Sequence, residues 1–158
     1  HDIGRGEQDR SSGGICHARH GAQMAEKIVR PLSLSPARCE NLLHCIRSHR
    51  FRGRHAPDTV EAKVLFDADK LDAIGAVGVA RAFLFAGEVG ARLHNPDVDP
   101  VDTLAYTEED TGYREYNLKL CQIKDRMLTA EGRRLALERH AFMEAFFDRF
   151  VEEYQGVR

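Results

Sequence analysis

The sequence predicts an all-α fold, and three observations carry that expectation. Apolar residues recur at helical spacing almost throughout the chain. No run alternates apolar and polar residues as a half-buried strand would. Helix start and stop signals recur along the chain, among them Ser35-Pro36, Pro31 and Thr129.

The elements follow in order. Gly4 and Gly6 are expected to break a helix that ends near His1-Asp2, and residues 10–14 read as a polar Ser/Gly-rich loop. A helix is predicted from about residue 15 to 29, stopped by Pro31. The next starts at Ser35 as N-cap, with Pro36 in the first helical position, and runs to about His49. After a basic loop, Asp58 stands three before Glu61, a spacing resembling a capping box. From there one long helix is predicted, about 59–85, with Gly75 and Gly78 inside it at a propensity cost of about 1 kcal/mol each. Residues 87–111 form an acidic, irregular stretch with Pro96 and Pro100, long enough to serve as a functional flap. Helices resume over about 112–127 and again from Thr129 to about Tyr154. In the last, Leu135, Phe142, Phe146 and Phe150 are expected to share one buried face. The whole is read as one domain of 158 residues, enough for a core without disulfide staples.

Bulk properties exclude several classes. No run approaches the ~20 apolar residues of a membrane span, and residues 1–10 do not resemble a signal peptide. The formal charge of −2 makes no case for polymeric nucleic acid. The four cysteines, Cys16, Cys39, Cys45 and Cys121, form no CxxC pair and read as reduced thiols of a cytoplasmic protein.

Eight histidines are many for this length. His1-Asp2 pairs an imidazole nitrogen with a hard anionic oxygen, a combination that suits a cation. In residues 66–72, three carboxylates interrupt an apolar helix, and a buried charge needs a partner. Asp69 and Asp72 share a face, whereas Asp67 stands roughly 200° from Asp69 around the helix. Asp69 is read as a ligand, Asp72 as a supporting or catalytic acid, and Asp67 as structural. The alternative for all three is an ion-pair network with Lys63, Lys70 and Arg81. His20, His55, His94 and His140 are expected to be exposed or bonded within the core.

These residues, taken together, resemble a known family. The segments are His1-Asp2-Ile3-Gly4-Arg5, His17-Ala18-Arg19-His20-Gly21-Ala22, residues 46–53 around His49, and Asp67-Ala68-Asp69-Lys70-Leu71-Asp72-Ala73. Their order resembles the HD-domain superfamily of metal-dependent phosphohydrolases. Residues 124–129 and 138–143 are similar to those of its small bacterial single-domain nucleotide pyrophosphohydrolases.

The resemblance implies a compact helical bundle with a metal site between helices. It implies His1, Asp2 and Asp69 as ligands of a divalent ion, with Mn, Mg, Ni, Fe, Co and Zn all open. A further ligand histidine is expected on a helix ahead of the doublet. By the same resemblance, His17 and His49 would hold a second metal or act on the substrate phosphate. Lys70 and Asp72 join them as catalytic candidates, and Arg5, Arg50 and Arg52 are candidate phosphate contacts. Each of these basic residues has an alternative: Lys70 could pair with an acid, and Arg50 and Arg52 could belong to a solvated loop. The implied reaction is hydrolysis of a phosphoester or phosphoanhydride, with a nucleotide as the small-molecule partner; one form of it is a nucleoside triphosphate cleaved to monophosphate and pyrophosphate. A di-iron redox protein and a non-catalytic binding module on the same fold are the alternatives, and a homodimer is left open.

Overall fold

The computed structural model describes residues 1–11, 14–50 and 55–157. Every regular element among them is helical, as the periodicity predicts. In order they are α1 (Arg5–Arg10), α2 (His17–Val29), α3 (Pro36–Ser48), α4 (Val60–Leu71), α5 (Gly75–Glu88), a 3-10 turn at Pro100–Asp102, α6 (Gly112–Leu118), a 3-10 segment at Leu120–Arg126, and α7 (Ala130–Tyr154). Contacts group into two compact units, residues 1–69 and 70–158. No helix among the described residues is long and apolar enough to cross a membrane. All four cysteines are free.

In the first unit α2 packs on α3. Ala22, Ala25 and Val29 of α2 meet Leu43 and Ile46 of α3, with Cys39 and Leu42 at the edge. Ser35 caps α3 by accepting from the Arg38 amide, and Pro36 follows it, as the residues predict.

Two local expectations are corrected here. Gly6, expected to break a helix, lies inside one that follows His1-Asp2. The Asp2 carbonyl accepts the Arg5 amide at 2.9 Å, and the chain turns into α1 with Gly6 inside it. Before α4, Thr59 rather than Asp58 caps, its hydroxyl accepting the Ala62 amide at 3.2 Å. Asp58 instead pairs with His44 at 2.6 Å.

In the second unit α5 and α7 pack together with the Leu120–Arg126 segment. The core comprises Ile74, Val79, Ala82, Leu120, Ile123, Met127, Ala136, Met143 and Phe147. Fully buried aromatics such as Phe147 contribute on the order of 1.5–3 kcal/mol each relative to exposure. Thr129 caps α7 through the Gly132 amide.

The single long helix expected over 59–85 is two helices. The break falls at Ala73-Ile74, and Gly75 has φ +77°, a left-handed geometry that disfavours side chains. A Cβ there would also press on the stem of Arg139, whose guanidinium donates to the Leu71 carbonyl. The helix expected over 112–127 likewise breaks at Lys119 (φ −139°, ψ −54°) and continues as 3-10 turns. On α7 the buried face runs through Gly132, Ala136, His140, Met143 and Phe147. Phe142, expected inside, is 47% exposed. Residues 87–111 are tied to α6 by Arg114, which donates to Asp110 at 2.8 Å and to the Thr103 hydroxyl at 2.6 Å.

Candidate metal centre

Glycines bring the His-Asp doublet against α2. A Cβ on Gly4 would lie 2.6 Å from the His17 carbonyl oxygen and 2.7 Å from the Gly21 nitrogen. Only the absence of a side chain at Gly4 lets the backbones meet so closely. The consequence is that Asp2 reaches the first residue of α2, His17.

Asp2 is half-buried and its two oxygens differ. Oδ2 accepts from Arg5 Nη2 at 3.2 Å. Oδ1 is buried and has no hydrogen-bond partner among the described residues, although His49 Nε2 lies 3.3 Å away and His17 Nε2 3.6 Å away. Burial works to raise the Asp2 pKa. The charge and hydrogen bond of Arg5, then His17 and His49, outweigh it, and the carboxyl is held below its ordinary value.

The tautomer of each histidine follows from its neighbours. Gln8 Oε1 lies 2.7 Å from His17 Nδ1 and also accepts the His17 backbone amide at 3.3 Å. A backbone N–H only donates, so the amide end facing it is oxygen, and His17 Nδ1 must carry its proton. His49 Nδ1 lies 2.6 Å from the Ile46 carbonyl oxygen and must donate likewise. In a neutral ring so bonded, Nε2 keeps its lone pair. Burial, with help from the Arg5 charge, pushes the His17 pKa down to about 4, so that ring is neutral at pH 7.

The two Nε2 atoms are 3.2 Å apart, and both face Asp2 Oδ1. Three electron-rich atoms thus converge with no proton to share among them while both rings are neutral. Such a cluster repels itself unless a cation enters, and the donor set fits a divalent ion. His1 extends it: His1 Nε2 is 3.4 Å from Asp69 Oδ1 and 3.9 Å from Asp2 Oδ2. One ligand atom each from His1, Asp2 and His49 lies within 4.8 Å of the others.

The structure therefore brings His1, Asp2, His17, His49 and Asp69 together within the first unit. Arg5 contacts Asp2. Arg50 donates to Cys16 Sγ at 3.4 Å, and its charge contributes to lowering the His17 pKa. Phe51 and Arg52 lie outside the described residues. Lys70 and Asp72 belong to the second unit. Lys70 is buried; Asp72 is exposed and pairs with Arg81, the partner named in the ion-pair alternative. Gln8 carries no sequence signal, because its role arises only where α1 meets α2. His94 and His140, expected to be exposed or satisfied, are buried, and each keeps an Nδ1 without a partner among the described residues.

Residues 1–74 match the HD domain family. The chain belongs to the HD-domain superfamily, with its all-α fold. Among individual proteins it is similar to the uncharacterized protein YpgQ of Bacillus subtilis, at 38% identity over 122 residues. That alignment covers 75% of this chain and 54% of YpgQ, so the chain spans about half the length of this relative. The crystal structure of Bacillus subtilis YpgQ superposes with a TM-score of 0.68 at 32% identity, covering 87% of this chain and 66% of that one. An HD-superfamily hydrolase from Bacillus thuringiensis gives 0.70 at 28% identity, covering 90% and 66%. YpgQ in complex with ADP gives 0.64 at 32% identity, covering 84% and 60%.

Proposed function

We propose that this chain holds a divalent metal for the hydrolysis of a phosphoester or phosphoanhydride, with a nucleotide as substrate. One observation carries the metal: the buried Asp2 Oδ1, with no hydrogen-bond partner among the described residues, faces the Nε2 atoms of both His17 and His49. His1, Asp2, His49 and Asp69 would hold the ion, and His17 would complete the set or hold a second one. Three nitrogens and two carboxylates favour Mn, Fe, Co, Ni or Zn over Mg. Bound there, the ion supplies Lewis-acid polarisation of a phosphoryl oxygen and an acidified water.

The chain's own residues do the rest. Arg5 fixes Asp2 Oδ2 and keeps the carboxylate ionised, leaving Oδ1 for the ion. Ile46 directs the His49 lone pair inward through its carbonyl. Arg50, half-buried beside Cys16, is a candidate for a phosphate contact, as is Arg5 beside Asp2. The nucleotide reading draws its support from the ADP complex of YpgQ and from the similarity of the motif segments.

The test is calorimetric titration of Mn²⁺ into the purified protein, followed by a panel of nucleoside di- and triphosphates. Saturable Mn²⁺ binding, with release of phosphate or pyrophosphate, is expected. Mn²⁺ binding that survives both Asp2→Asn and His49→Leu would overturn the site. A loaded protein that leaves the panel untouched would overturn the substrate, and bound iron that cycles redox states would favour the oxidative alternative.

A further inference from the structure

We propose that Gln8 is a positioning residue of this centre: its amide oxygen fixes the tautomer of His17 and so aims the Nε2 lone pair at Asp2 and His49. The inference rests on the metal reading above and adds a residue that neither the motif segments nor the ligand set contains.

The argument starts from the end of α2. Cys16 occupies its N-cap position but makes no side-chain cap bond, and the first turn holds no acidic residue. The His17 amide, one of the unpaired donors every helix start leaves, is met instead by Gln8, which reaches across from α1. The same oxygen receives the His17 ring at Nδ1, 2.7 Å away. One acceptor thus holds both the backbone and the ring of His17. The backbone bond pins the amide orientation, and the pinned oxygen dictates which ring nitrogen is protonated. With Nδ1–H committed to Gln8, Nε2 stands as a lone pair 3.2 Å from His49 Nε2 and 3.6 Å from Asp2 Oδ1. In the opposite tautomer an N–H would point into the cluster and occupy the space of the ion. Hydrogen bonds behind metal-facing imidazoles set ring orientation and tautomer in this way generally. His49 receives the same service from a backbone carbonyl, which substitution of Ile46 cannot remove. At His17 a replaceable side chain supplies it.

The experiment reads the tautomer directly. Long-range proton–nitrogen correlation spectra of the metal-free protein, with His17 assigned by its loss in His17→Asn, are expected to show Nδ1–H. In Gln8→Leu the ring is expected to populate Nε2–H, and Mn²⁺ affinity to fall by about 10- to 100-fold. Gln8→Glu keeps an acceptor at the same reach and is expected to restore the wild-type tautomer. Wild-type His17 found as Nε2–H overturns the proposal without any variant. So does a Gln8→Leu protein that melts earlier yet keeps both tautomer and affinity, since that is a helix cap and nothing more. A tautomer switch in a chain that binds no Mn²⁺ preserves the role of Gln8 and removes the metal reading instead.

Discussion

His17 and His94 are buried to nearly the same degree, 4% and 6% exposed, yet their surroundings differ in kind. Burial lowers the pKa of both. Around His94 stand three rings: Tyr113, Phe150 and Tyr154, at centroid distances of 5.0, 5.5 and 4.8 Å and steep angles. Its Nδ1 meets no acceptor among the described residues. The imidazole there is an aromatic wedge, held by edge-to-face packing. Around His17 the proton-bearing nitrogen is committed to Gln8 and the other faces a carboxylate. Burial alone keeps a histidine neutral. A ligand also needs its N–H spoken for on the far side and an anion on the near side.

The largest effect should come from removing that anion. Asp2→Asn retains shape but takes away the charge that a cation needs. Mn²⁺ binding by calorimetry is expected to fall to background, and nucleotide hydrolysis by at least ~10³-fold, several kcal/mol of lost transition-state stabilisation. His94→Leu is expected to leave the Mn²⁺ dissociation constant within about twofold. Equal losses in the two variants would erase the distinction between the two histidines.

Next in size is metal-linked stability. At 100 times its dissociation constant, a ligand that binds only the folded state stabilises by about 2.7 kcal/mol. Mn²⁺ should therefore raise the melting midpoint of the wild type and of His94→Leu by several degrees. Asp2→Asn should show no rise. Chelation by EDTA is expected to return the first two to their metal-free midpoints.

Much of this comparison could be read from residue types and spacing, and the parts that could not have physical causes. Ser35-Pro36 and Thr129 declare their helix starts because capping is local chemistry. His1, Asp2, His17, His49 and Asp69 stand in recognisable order, and the structure collects them in one unit. The break at Gly75 escaped because glycine among alanines is tolerated in helices; the left-handed φ and the Arg139 stem pressed against it are tertiary facts. Phe142 escaped because the buried stripe of α7 passes one residue further on, through Met143. Gln8 and the ring cage of His94 escaped for one reason. Each depends on what a distant segment places opposite it, and no periodicity records that.

The pH dependence of the metal-free protein separates the two histidines further. The pKa of His17 falls from 6.5 unfolded to about 4 folded. The unfolded chain then binds the proton more readily, so the stability His17 provides is complete above pH 6.5 and is lost as pH falls toward about 4. Chemical denaturation between pH 7.5 and 4 should show this decline. His17→Asn should flatten it. A decline of full size in that variant would place its origin elsewhere.

His94 should give the smallest effect, and the sign is the informative part. Its pKa is also lowered by burial, with no charged group contributing to the shift, and the titratable groups against the ring are Tyr113 and Tyr154. It too should contribute stability above pH 6.5 that is lost on acidification. His94→Phe replaces the wedge with a ring of similar shape that needs no partner for a buried nitrogen. At pH 7.5 the change is expected to stay within about 1 kcal/mol, since a near-isosteric swap removes an unsatisfied group at the risk of mild overpacking. Below pH 6 the variant should be the more stable of the two, because it has no proton to take up on unfolding. In His17→Asn, by contrast, any gain on acidification accompanies a loss of Mn²⁺ affinity. An acid-stabilised His94→Phe that still binds Mn²⁺ as tightly as the wild type would show that the same chemical group, buried alike, is packing in one unit and a ligand in the other.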